Sequence, residues 1–105
     1  MAAMRRFVTK LDGMSTREQA MEYNDVARII NIHILDRNAP LTPLRAIATN
    51  APIVHFPPTK AALARLDENE VDYILQRLDE PLVGNLKAKK HRLKMLTGAT
   101  DILYI

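Results

Sequence analysis

Hydrophobic residues recur at intervals of three and four in the first third of the chain, and this spacing predicts an amphipathic helix. Ser15 and Glu18 stand in front of it. Their spacing is that of a capping box, in which the two side chains accept hydrogen bonds from each other's backbone N–H groups. The predicted helix therefore begins at Ser15 and runs to about Leu35. Its apolar stripe consists of Met21, Tyr23, Val26, Ala27, Ile30 and Ile34.

The second half of this helix has an alternative interpretation. Between Ile30 and Ile34, isoleucines alternate with Asn31 and His33, which is the period of a β-strand. We favour the helix and leave the strand open for residues 29–35. In a helix, isoleucines would cover most of one turn, so this turn must lie in the core or be covered by a partner. The residues that we assign to a protein interface here are Ile29, Ile32 and Leu35.

Proline residues shape the middle of the chain. Thr42 precedes Pro43, and this pair is typical of a helix start, since proline's missing N–H costs nothing at the first helical position. A short helix to about Thr49 is therefore predicted. Three prolines then fall within residues 50–59 and predict an extended segment, because proline is excluded from helix interiors.

Two further helix starts and one helix end are visible. Thr59 predicts a helix through Leu66, and Asp67 with Glu70 repeats the capping-box spacing for a helix to about Leu78. The alternative is that these two helices fuse at Asp67. The last predicted helix ends at Gly98, since glycine is the common residue after a helix C-terminus. Its inner stripe consists of Leu86, Leu93 and Leu96.

These elements predict a mainly α fold, namely a single small domain of four to five helices. The length of 105 residues is that of one domain. One or two short strands are expected near Ile53–Phe56 and Ile102–Ile105. We divide the chain into a basic and flexible N-terminal arm at residues 1–14 and one helical domain at residues 15–105.

Composition argues against catalysis and against a metal or cofactor site. The chain has no cysteine, one serine and three glycines, which excludes thiolate ligands and phosphate-cradling glycine loops. The three histidines are far apart in the sequence, and a metal needs three or four converging ligands. The longest uncharged run is too short and too rich in proline to cross a membrane. We expect a cytoplasmic protein that is not an enzyme.

Charge is distributed unevenly. Residues 67–80 carry six acids and one base, whereas residues 81–105 carry five bases and one acid. On the last helix, Lys87, Lys90, His91 and Lys94 fall within an arc of about 100°. A basic ridge of this kind suits phosphates, because each contact releases condensed counterions.

The first functional hypothesis is accordingly a nucleic-acid-associated binding protein that grips phosphates through this helix. The bases have no aromatic residues among them, so we expect sequence-tolerant binding. The predicted contacts on the helix are Lys87, Lys89, Lys90, His91, Arg92 and Lys94. The N-terminal arm would add Arg5, Arg6 and Lys10.

The second hypothesis is a protein-binding adaptor, an inhibitor, or a subunit of a homo-oligomer. It rests on the isoleucine-rich turn described above and on the apolar end of the chain, because exposed apolar segments are sites of association. The interface residues predicted in that last segment are Ile102, Leu103, Tyr104 and Ile105.

Overall fold

The computed structural model describes residues 13–100, and four helices account for most of their regular structure. Helix α1 spans Thr16–Ile32, α2 spans Lys60–Ala64, α3 spans Glu68–Arg77 and α4 spans Leu86–Thr97. The β-type pairing within this range is a single antiparallel bridge between Arg45 and Pro52. The prediction of a mainly α fold is confirmed. Residues 53–56 form no strand, and the strand predicted at residues 102–105 lies outside the described range.

Local capping chemistry sets the helix starts where the sequence predicts them. The Ser15 hydroxyl accepts a hydrogen bond from the Glu18 N–H at 3.1 Å, and the Thr59 hydroxyl accepts one from Ala62 at 3.0 Å. Asp67 and Glu70 form the second capping box, with distances of 2.8 and 3.0 Å. Helices α2 and α3 are therefore separate elements.

Helix α1 ends earlier than the sequence predicts. His33 is its C-cap, so the helix stops after Ile32 instead of continuing to Leu35. The strand alternative for residues 29–35 is wrong, because residues 29–32 are helical. Just beyond the helix, the Ile34 carbonyl accepts a hydrogen bond from the ammonium of Lys60, which is buried at the start of α2 and also donates to Thr100 at 3.0 Å.

The hydrophobic core lies between α3 and α4 and extends to the inner side of α1. Val71, Ile74 and Leu75 of α3 are buried, and Leu93 of α4 is fully enclosed. Leu86 and Leu96 pack against this cluster, so the predicted inner stripe of the last helix is confirmed. No helix within residues 13–100 is long and apolar enough to span a bilayer.

Helix α1 contacts this body through small and polar side chains. Its buried residues are Ala20, Ala27 and Asn31. The C-cap of α4 approaches it closely, since a Cβ atom added to Gly98 would lie 2.2 Å from the Arg28 carbonyl oxygen. The apolar stripe predicted for this helix is therefore wrong in part, because Met21, Val26 and Ile30 are exposed and only Ala27 of that set is fully buried.

Two asparagines on the inner side of α1 hold the segment that follows it. The Asn31 carboxamide donates to Thr42 at 2.8 Å and accepts from the Thr42 N–H at 2.7 Å. Asn24 forms the same pair of bonds with Arg45, at 2.9 and 2.7 Å. Each amide thus pairs with a backbone as a neighbouring strand would.

This pairing explains why the helix predicted from Thr42 to Thr49 is absent. Residues 42–46 contain no helix and include the bridge residue Arg45. An asparagine side chain can pair with both the N–H and the carbonyl of one residue only when that backbone is extended enough to present them on the same side. The amides of Asn24 and Asn31 therefore outweigh the local helix signal of the Thr42–Pro43 pair.

Asn31 also donates to the Thr97 carbonyl at 2.9 Å, so its amide joins three segments. We expect Asn31→Ala to lower the free energy of unfolding by about 2–4 kcal/mol, because the partly buried N–H and carbonyl of Thr42 and the buried carbonyl of Thr97 lose their partner. Urea unfolding measures this loss. Asn69→Ala on the exposed surface of α3 is the control and should leave the midpoint nearly unchanged. Equal midpoints for the two variants would contradict this role.

Candidate functional site

Part of the basic ridge predicted on α4 is engaged in contacts within the protein. Lys89 is only 6% exposed, and its Nζ lies 3.0 Å from Asp72 Oδ1 and 3.1 Å from Glu68 Oε1. These carboxylates, Asp72 foremost, raise the pKa of Lys89 above its usual value. Lys89 therefore fastens α4 to α3, and we withdraw it from the predicted phosphate contacts.

The sequence carried a signal for this outcome. Lys89 precedes Leu93 by four residues and Leu96 by seven, which places it on the inner stripe of the helix. The acidic start of α3 then supplies its partners.

Two more predicted cations bind backbone carbonyl groups. Lys90 donates to Ala64 at 2.8 Å. Arg92 donates to Pro81 at 2.9 Å and to Val83 at 3.0 Å. Their side chains thus hold the C-terminal end of α2 and the loop before α4.

Three of the predicted basic residues remain directed outward on α4. Lys87 and His91 are exposed and Lys94 is half-buried, and the three fall within an arc of about 60°. Within residues 13–100, none of them has an ion pair or a hydrogen bond. Arg5, Arg6 and Lys10 lie outside the described residues, so the structure brings together three of the nine predicted contacts as a free cationic face.

The histidines do not form a metal centre within the described range. His33 Nδ1 lies 2.8 Å from the Ile29 carbonyl oxygen, and His55 is exposed in a loop. Among residues 13–100, no three His, Asp or Glu side chains are close enough to hold a metal ion.

A cleft beside α1 also offers little to a ligand. It is lined by Met21, Leu44 and Leu96, with arginines at its rim, and has a volume of about 210 Å³, smaller than the roughly 300 Å³ at which drug-sized ligand sites begin. Arg17 binds Asp79 across it at 2.7 Å. Arg28, the second arginine of the lining, binds Asp25 at 3.4 Å.

Large hydrophobic side chains are exposed on the outer face of α1. Val26, Ile29 and Ile30 are 51%, 58% and 48% exposed, and Leu35 just beyond the helix is 55% exposed. The three helical residues fall within an arc of about 100°. We call these four residues the α1 apolar face.

The α1 apolar face includes two of the three interface residues predicted in this region. Ile29 and Leu35 belong to it, whereas Ile32 is half-buried at its side. The predicted interface residues Ile102, Leu103, Tyr104 and Ile105 lie outside the described range.

Sequence reasoning missed two members of the face, Val26 and Ile30, because it placed them on the inner stripe. A second stripe with helical spacing was present and is the one that faces the body. It consists of Ala20, Asn24, Ala27 and Asn31.

Compared with models of protein families, with curated proteins and with solved structures, the chain has no significant match.

Proposed function

We propose that this protein is a non-catalytic protein-interaction module that binds its partner through the α1 apolar face. The observation that carries the proposal is the exposure of three large aliphatic side chains within one arc of a folded helix, with a fourth, Leu35, exposed just beyond its end. Contiguous apolar patches on soluble domains commonly mark interaction sites.

The energetics favour an occupant for this face. Complete burial of a Val, Leu or Ile side chain stabilises by roughly 1.5–3 kcal/mol relative to full exposure. About half of each of these four side chains is exposed, so covering them all would contribute on the order of 3–6 kcal/mol. That gain is available to binding, because the packing of residues 13–100 leaves these side chains uncovered.

The inner side of α1 supports the same view. Asn24 and Asn31 attach the helix to the body by hydrogen bonds, and Ala20 and Ala27 let it pack closely. The outer isoleucines can therefore be replaced without opening the core, so binding and stability are separable in this protein.

Photo-crosslinking tests the proposal. A photoreactive amino acid at position 29 should yield covalent protein adducts in cells that produce the chain, because this side chain would lie inside the interface. The control places the same amino acid at Met95, which is 54% exposed on α4. Adducts should be at least several-fold more abundant from position 29. Equal yields from both positions, or none from either, would refute the proposal.

A second candidate function is sequence-tolerant binding of nucleic acid through Lys87, His91 and Lys94. It is favoured by their shared outward face on α4 and by the lack of internal partners among residues 13–100. Of the six contacts predicted on α4, three keep this outward position, and we therefore rank this function second.

A salt titration of binding to random duplex DNA tests the second candidate. With at most three phosphate contacts, the log–log slope against salt should be no steeper than about −3. Lys87→Gln combined with Lys94→Gln should flatten it. Arg65→Gln combined with Arg77→Gln removes the same charge away from α4 and should leave the slope unchanged. Identical slopes for both double variants, or no binding at low salt, would exclude this candidate.

A further inference from the structure

The outer side of α1 carries a heptad-like seam. Gln19, Glu22, Val26, Ile29 and His33 follow one another at intervals of three, four, three and four residues. This is the spacing with which a helix presents one continuous line of side chains to a second helix. All five are exposed or half-buried, and we call them the α1 seam.

The α1 seam has a direction. Glu22 precedes the apolar pair Val26 and Ile29, and His33 follows it. The Nδ1 of His33 is occupied by the Ile29 carbonyl oxygen at 2.8 Å. That oxygen can only accept, so Nδ1 carries a proton and donates. Nε2 faces away from this bond and donates to a carboxylate of another molecule in the imidazolium form of the ring, in which both nitrogens carry a proton. The seam therefore has an acidic end, an apolar centre and an imidazole end.

We infer that the partner of the α1 apolar face is a second copy of this chain, with the two α1 helices packed antiparallel about a two-fold axis between Val26 and Ile29. This inference rests on the proposed function. In that arrangement Val26 lies opposite the second copy's Ile29, and Glu22 lies opposite the second copy's His33. The two halves of a two-fold interface are the same surface, so that surface must be complementary to itself. The α1 seam meets this requirement, because its acidic end lies opposite the imidazole end of the second copy.

The parallel arrangement does not have this complementarity. It would place Glu22 against the second copy's Glu22, and like charges face each other at a cost. The antiparallel arrangement replaces that contact with a carboxylate beside an imidazole. Repulsion between like charges thus favours the antiparallel orientation, and burial of Val26 and Ile29 provides the attraction.

The dimer is expected to be weak. A helix of 17 residues is about 25 Å long, and one helix pair of this length lies at the small end of specific interfaces. Association should therefore be reversible and depend on concentration. Ile30 and Leu35 flank the α1 seam and enlarge the contact.

Disulfide trapping tests the orientation directly, because the chain contains no cysteine. Glu22→Cys and His33→Cys are prepared separately and oxidised alone or as an equal mixture. In the antiparallel dimer, like positions are about 16 Å apart along the axis, beyond the roughly 7 Å Cα separation that a disulfide allows. The mixture should form at least several-fold more disulfide dimer than either variant alone. Both positions lie outside the core, and circular dichroism confirms that each variant is folded.

Light scattering over a range of concentrations provides the second readout. The average mass should rise from monomer toward dimer, Ile29→Lys should abolish the rise, and Met95→Lys should preserve it. Disulfide dimers from Glu22→Cys alone would show a parallel pair and overturn the inference. A mass that stays monomeric, without a mixed disulfide, also overturns it.

The same data separate this inference from the proposed function. If the chain stays monomeric while position 29 still crosslinks to a different protein, the second copy is the wrong partner and the interaction module stands. If deletion of residues 101–105 converts a monomer into a dimer, the face was covered by its own chain and the inference is overturned. If neither dimer nor crosslink forms, both proposals fail.

Discussion

The buried amide of Asn31 is the constraint on which the rest of the structure depends. It joins α1 to Thr42 and to the end of α4 at Thr97, and each of these bonds replaces a bond to water that burial removes. Once Asn31 points inward, the helix has only one orientation, and the side chains on its opposite side must face outward. Val26, Ile29 and Ile30 are therefore exposed as a consequence of how the helix is attached.

Contacts within the protein also reduce the number of basic side chains on α4 that can bind another molecule. The acids at the start of α3 neutralise Lys89, and carbonyl groups engage Lys90 and Arg92. Much of the charge asymmetry along the chain thus contributes to the packing of α4 against its neighbours. Among residues 13–100 the apolar face of α1 has no such internal use, which is why it outweighs the cationic face as a candidate site.

Local rules predicted the elements whose determinants are neighbours in the sequence. The two capping boxes and the glycine that ends α4 involve residues within a few positions of each other, and all lie where expected. The segment 42–49 was wrongly predicted because its conformation is set by Asn24 and Asn31, which lie 21 and 11 residues away from their backbone partners. The inner side of α1 was wrongly predicted because hydrophobicity alone favours the isoleucines, whereas hydrogen bonding and close packing favour asparagine and alanine.

Methyl NMR with a soluble paramagnetic agent tests the central claim most directly, namely that the isoleucines on the outer face of α1 meet solvent when the chain is alone. In dilute solution the methyl signals of Ile29 and Ile30 should broaden strongly, whereas those of Ile74, which is buried in α3, should stay sharp. If Ile29 and Ile30 are as protected as Ile74 in the dilute monomer, the face is covered within the chain, and the account of α1 as an interface is contradicted.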